Sequence, residues 1–130
     1  MIALFLAWLL QTVPFQPSPP QPPELVAAQR DVNDTGEAYG RCIMASALDR
    51  SGSIADEDGL FEAALSSCTN EEVAAVGAYG DYLRLIGGEA SPEQVREIFV
   101  AMRPGLRQRV LGCVAMVRTA RSEGREPGTC

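Results

Sequence analysis

Residues 69–88 read Thr-Asn-Glu-Glu-Val-Ala-Ala-Val-Gly-Ala-Tyr-Gly-Asp-Tyr-Leu-Arg-Leu-Ile-Gly-Gly, and the predicted fold class rests on them. Thr69 and Glu72 stand three residues apart, as in a capping box, where each side chain accepts a hydrogen bond from a backbone N–H of the first turn. The final glycines supply the left-handed position at which helices commonly end. The pattern predicts a helix over residues 70–86. Because residues 73–80 carry no charge, we expect this helix at the centre of an up-down bundle with short loops.

The rest of the domain repeats this helical spacing, and its sequence has no alternating β-branched run typical of strands. Ser91-Pro92-Glu93-Gln94 provides a cap, a first-position proline and a first-turn acid. Pro104 is expected to break the chain between two helices. The expected fold is all-α, a small up-down bundle of about five helices, arranged as two helical hairpins plus a C-terminal helix. Besides the helix above, its helices are predicted over residues 24–49, 56–68, 92–102 and 105–122.

The N-terminal region differs from this domain. Residues 2–10 are nine apolar residues in a row, and residues 14–23 hold six of the nine prolines. The apolar run is too short to cross a bilayer, which takes about 20 residues, and is typical of a secretory signal peptide or an N-terminal anchor. The alternative is an apolar segment buried within the domain. We predict a signal peptide or anchor over residues 1–13, a proline-rich extended linker over 14–23 and a helical domain over 24–130.

Four cysteines follow this signal-like segment, and the even number favours disulfides over free thiols. At about 1.5 Å per residue, Cys42 and Cys68 lie at nearly the same height on two antiparallel helices. The tail after Ser122 is long enough for Cys130 to reach back to Cys113. We therefore expect the pairs Cys42–Cys68 and Cys113–Cys130, each contributing about 3 kcal/mol. The sequence contains no Cys-x-x-Cys pair, so no metal and no cofactor is predicted.

The net charge of −6 is unevenly distributed. Residues 24–100 hold 15 acidic side chains and 5 arginines, whereas residues 101–130 hold 2 acidic side chains and 6 arginines. The acidic balance disfavours nucleic acid as a partner. Arg107, Arg118 and Arg121 border the apolar stripe of the last helix. There they either pair with acids of neighbouring helices or form a contact site for an anion or a partner.

The opposite face of the last helix is uncharged and consists mostly of small residues: Gln108, Gly112, Ala115, Met116 and Thr119. We expect this face to pack on the N-terminal part of the first helix. A homodimer through the last helix is the alternative, and a monomer is favoured.

The chain contains no His and no Lys, which excludes His-based nucleophilic catalysis, His metal ligands, Schiff bases and Walker-type phosphate loops. Acid–base chemistry is left to residues such as Glu62, Asp81 and Glu97, which lie in no recognisable motif. We therefore predict no catalytic residue. The expected protein is exported to the periplasm or cell envelope, with a membrane tether through residues 2–13 as one option and a structural or protein-binding role. The alternative is a small carboxylate-based hydrolase or transglycosidase of the envelope.

Overall fold

The computed structural model describes residues 17–130. After an exposed segment without regular structure, it contains four helices: α1 (Pro23–Arg50), α2 (Glu57–Ser67), α3 (Thr69–Leu85) and α4 (Pro92–Ser122). The described part of the chain contains no strand, so the prediction of an all-α domain is confirmed. The signal peptide or anchor predicted over residues 1–13 lies outside the described residues. None of the four helices combines the length and the apolarity that a membrane crossing requires.

The helices α2 and α3 follow each other with only Cys68 between them. The backbone hydrogen-bond ladder is interrupted there, where the Cys68 N–H donates to Leu65 and the Glu72 N–H donates to Cys68. The helix α3 runs antiparallel to α1. At the interruption Cys68 is bonded to Cys42, and one turn further along α3 the Glu72 carboxylate accepts a hydrogen bond from Tyr39, which lies one turn earlier on α1. Both α2 and α3 therefore pack against α1.

The helix α4 completes the bundle and runs parallel to α1. Near its C-terminus Arg118 contacts Ser51 at the end of α1, and near its start Val95 packs on Gly80 of α3. The central position predicted for α3 is wrong, since α1 packs against all three other helices.

The helix α4 is continuous through Pro104, so the predicted break, and with it the fifth helix, is wrong. Pro104 removes the hydrogen bond to the carbonyl of Val100, but both residues are exposed, and water can reach that carbonyl. Phe99 and Leu106, on either side of the proline, pack against the same core. Packing on both sides therefore outweighs the local penalty of the proline.

Replacing Pro104 with alanine is expected to raise the free energy of unfolding by about 2 kcal/mol. Alanine is about 3 kcal/mol more favourable than proline inside a helix, and the greater entropy of the unfolded chain offsets roughly 1 kcal/mol of that gain. Urea unfolding followed by circular dichroism measures the difference. Gly105→Ala is the control, because a Cβ there meets no atom within 4 Å and its gain is limited to about 1 kcal/mol. A loss of stability in P104A would contradict the argument.

The ends of the helices confirm part of the predicted capping. Ser91 caps α4 through a reciprocal pair of hydrogen bonds with Gln94, at 2.8 and 3.2 Å. The helix α3 ends at Leu85, and two residues later Gly87 has a φ of 80°, the left-handed conformation that favours glycine after a helix. The capping box predicted for Thr69 and Glu72 is wrong, since no side chain caps the start of α3 and the Glu72 carboxylate is bonded across the bundle instead.

Candidate functional site

Both expected disulfides are present, and none of the four cysteines is free. Cys42–Cys68 ties α1 to the interruption between α2 and α3, with Cα atoms 5.9 Å apart. Cys113–Cys130 ties the C-terminal tail to α4, with Cα atoms 5.8 Å apart. The Glu71 carboxylate lies within 4.8 Å of the first sulfur pair. Because these sulfurs are bonded to each other, they do not act as thiolate ligands, and we assign no metal site here.

The three arginines predicted as a contact site all face the α1–α2 turn or the start of α2: Arg107, Arg118 and Arg121. Only Arg107 pairs with an acid, the exposed carboxylate of Asp58 at 2.5 Å. Exposed ion pairs contribute about 0–1 kcal/mol, so this pair adds little to stability.

Arg118 makes a stronger contact, to backbone rather than to an acid. Its guanidinium donates to the carbonyl of Ser51 at 3.0 Å and to that of Ile54 at 2.6 Å. Ser51 caps α1, so the positive charge also complements the negative end of the α1 dipole. Arg121 lies 3.5 Å from the Ser51 hydroxyl. These donors are used within the protein, and we call the contact of Arg118 with the turn the arginine clasp.

A partly buried polar triad joins α1, α3 and α4 and was not predicted from the sequence. The Tyr39 hydroxyl of α1 donates to the Glu72 carboxylate of α3 at 2.6 Å, and Arg103 of α4 donates to the same carboxylate at 3.3 Å. The Glu72 side chain is only 15% exposed. Burial, together with the neighbouring Glu72 carboxylate, raises the pKa of Tyr39 well above its ordinary value of 10.0. In the sequence these residues are 31 and 33 positions apart, and no local pattern links them.

This raised pKa predicts a loss of stability in alkali. The contribution of Tyr39 is fully present below pH 10 and decreases as the pH rises further, because the unfolded chain ionises Tyr39 while the folded protein keeps it protonated. Tyr39→Phe is expected to lower the free energy of unfolding by about 1.5 kcal/mol at pH 8 and to reduce the alkaline decrease. Urea unfolding at pH 8 and at about pH 11 measures both effects, with Tyr82→Phe as the control. An unchanged alkaline decrease in Y39F would show that another group is responsible.

A cleft of about 560 Å³ opens beside the triad, between α2, α3 and α4. It is lined by Glu62, one of the catalytic candidates, and by Glu72. Asp81 is paired with Arg84 on an exposed face, and Glu97 is exposed outside the cleft. Both oxygens of Glu72 are bonded within the protein, and Glu62 is exposed to water. The described lining therefore offers no poorly solvated carboxylate that is free to transfer a proton.

An open apolar trough lies between α1 and α4. It consists of two depressions that share four lining residues: Gly36, Gly40, Leu106 and Arg109. The first depression, with a volume of about 270 Å³, is otherwise lined by Val32, Tyr39, Ala75, Tyr79, Ile98, Phe99 and Met102. The second extends along α4 to Met116 and Cys130. We call the combined surface the α1–α4 trough.

Glycines on both helices keep the trough open. A Cβ at Gly36, Gly40 or Gly112 would meet no atom within 4 Å. The uncharged face of α4 therefore does not pack on the N-terminal part of α1, and that prediction is wrong. The residues of this face are exposed instead, including Gly112 and Met116 at the border of the trough: Gln108, Gly112, Ala115, Met116 and Thr119. The predicted alternative, a contact with a second copy, stays a prediction.

The apolar part of the trough is uncovered in the described residues. Ile98 is 38% exposed and Met102, one turn further along α4, is 60% exposed. Arg109 is the single charged side chain in the lining of the first depression, and it forms no ion pair with any described acid. No sequence motif marks this surface, because it is formed by glycines and apolar residues from three helices.

Together the fold and the bridges define a small all-α protein held by two disulfides. Comparison with protein-family models, with curated proteins and with solved structures gives no significant match to this chain.

Proposed function

We propose that this protein is an exported domain of the periplasm or cell envelope that binds a protein partner through the α1–α4 trough, without catalysing a reaction. The trough is the observation that carries the proposal. Contiguous apolar surface exposed to water is typical of interaction sites, and Ile98 and Met102 present such surface at the spacing of one helical turn. A groove of this kind takes the apolar face of an amphipathic helix, whose anchoring side chains recur every three or four residues.

Export is supported by the two disulfides and by the N-terminal sequence. Disulfides persist in oxidising compartments and are rare in the cytosol. The apolar residues 2–10 and the prolines of residues 14–23 suit a domain that is either released after cleavage or tethered to a membrane through residues 2–13.

Site-specific photo-cross-linking in the native cells tests the binding site. A photoreactive residue in place of Met102 is expected to cross-link one discrete protein in the envelope fraction. The control is the same residue in place of Val73, which is 62% exposed but lies outside the trough. Equal labelling from the two positions, or no labelling from Met102, would contradict a partner bound in the trough.

The compartment is tested by the intact mass of protein purified from the native cells, with and without a thiol-alkylating reagent. We expect no added mass after alkylation, because all four cysteines are paired. The same spectrum shows whether the N-terminal segment has been removed. Four alkylated thiols would rule out export as proposed.

A further inference from the structure

We propose that residues 2–13 of the same chain occupy the α1–α4 trough whenever they are neither removed nor inserted into a membrane. The inference rests on the proposed function, because it names the first occupant of the same binding surface. The trough is then covered in the unprocessed chain and becomes available when the segment leaves.

The chemistry of the two surfaces is complementary. Residues 2–10 are apolar without exception, and no side chain before Glu24 is charged. Burying one large apolar side chain is worth about 1.5–3 kcal/mol, so both this run and the trough are stabilised by covering each other. The charged residues in the lining of the trough are Glu37, Arg41 and Arg109. Glu37 and Arg41 pair with each other, and all three are exposed, so an uncharged segment seated on the apolar part of the trough leaves these charges in contact with water.

The chain is long enough for this contact. Residues 14–22, as an extended proline-rich spacer at about 3.1 Å per residue, span roughly 28 Å. From Pro23, where α1 begins, to Gly36 and Gly40 the distance along the helix is about 20–26 Å. The spacer therefore reaches back along α1 to the glycines of the trough. From Ile98 to Met116 the trough follows about 27 Å of α4, and residues 2–13 in helical form take up about 18 Å.

The covalent connection gives this segment an advantage over any separate partner. A tethered segment binds as if it were present at roughly millimolar concentration. A partner at micromolar concentration therefore competes poorly while the segment is present. Cleavage or membrane insertion of residues 2–13 then exposes the trough, which couples partner binding to the arrival of the protein at its compartment.

Trp8 allows a direct test, since it is the only tryptophan of the chain and lies within the apolar run. We use the full chain, with Met1 verified by intact mass and both disulfides formed, at low micromolar concentration without lipid. The expected result is blue-shifted Trp8 emission and acrylamide quenching at least three-fold weaker than in the urea-unfolded protein. Gly36→Leu, which fills the trough, is expected to restore quenching to nearly the unfolded value.

Gly77→Leu is the matched control. It also replaces a helical glycine whose Cβ meets no atom within 4 Å, but it lies outside the trough, so Trp8 is expected to stay protected. Circular dichroism verifies that both variants fold. As a second pair, Met102→Glu places a charge in the trough and is expected to expose Trp8, whereas Val73→Glu is expected to leave it protected.

Several outcomes would overturn the inference: full quenching of Trp8 in the unchanged protein, equal protection in G36L, protection that appears only with lipid vesicles, or protection that requires a dimer at high concentration. Protection that appears only with vesicles would place residues 2–13 in a membrane. Protection that requires a dimer would show that a second copy of the chain is needed to cover Trp8. The two proposals fail separately. If Trp8 is exposed but Met102 cross-links one specific protein, only the docking of residues 2–13 is contradicted. If Trp8 is protected but no partner cross-links, only the binding of a partner is contradicted.

Discussion

Replacing both Cys42 and Cys68 with alanine is expected to lower the free energy of unfolding by about 3 kcal/mol. The bridge closes a loop of 26 residues, and chain entropy alone accounts for a loss of this size when it is opened. Cys68 is fully buried and is the single residue between α2 and α3. The bridge therefore also holds the junction of α2 and α3 against α1. Urea unfolding, monitored by circular dichroism at neutral pH, measures the loss.

The second disulfide provides the control, and the structure changes what we expect of it. From the sequence each bridge is worth about 3 kcal/mol. The tail from 123 to 130 is exposed along its whole length, so it gains conformational freedom in the folded protein as well once Cys113 and Cys130 are replaced by alanine. The conformational entropy that the folded protein gains offsets most of the entropy that the unfolded chain gains. The free energy of unfolding is therefore expected to fall by less than about 1 kcal/mol. If the two double variants lost the same free energy of unfolding, the packing of the bridged residues in the folded protein would have no influence on what each disulfide contributes.

Arg118→Ala is expected to lower the free energy of unfolding by about 2–3 kcal/mol. The arginine clasp donates to two backbone carbonyls in the turn that reverses the chain between α1 and α2. Hydrogen bonds to a charged group are worth about 1.5–3 kcal/mol, and Ser51, which accepts one of them, is buried. Without the guanidinium its carbonyl loses a partner where water has little access. Chemical unfolding of the variant measures the loss.

Two further variants separate the clasp from a general effect of charge. Arg84→Ala removes an exposed pair with Asp81, and its effect is expected to stay below about 1 kcal/mol. Arg118→Lys keeps the positive charge but lacks the planar fork that spans both carbonyls, so its stability is expected to lie between those of R118A and the unchanged protein. A lysine variant as stable as the unchanged protein would contradict the two-carbonyl contact.

Features with local causes were predictable from the sequence. Ser91 caps α4 because a hydroxyl, a proline and an acid follow each other in the favoured order. Gly87 ends α3 because its backbone adopts a left-handed conformation without strain. The pairing of Cys42 with Cys68 followed from the helical rise alone, since both lie at similar distances from one short turn.

Features that depend on distant partners were predicted incorrectly or missed. Glu72 suits a helix cap by its position, but a tyrosine 33 residues away competes for the same carboxylate and wins inside the bundle. Pro104 breaks an isolated helix, but apolar contacts on both sides hold α4 together. The trough was missed because glycines carry no signal until two helices that are far apart in sequence lie side by side.

The sequence by itself determined the helical class, most helix ends, the disulfide pairing and the apolar character of the N-terminal run, because each follows from chain geometry or from residues within one or two turns. Only the tertiary structure decided how α2 and α3 pack on α1, that α4 runs through its proline, and that α1 and α4 leave an open trough between them. These features depend on which surfaces are buried against each other, and that balance of packing energies is set by all four helices at once.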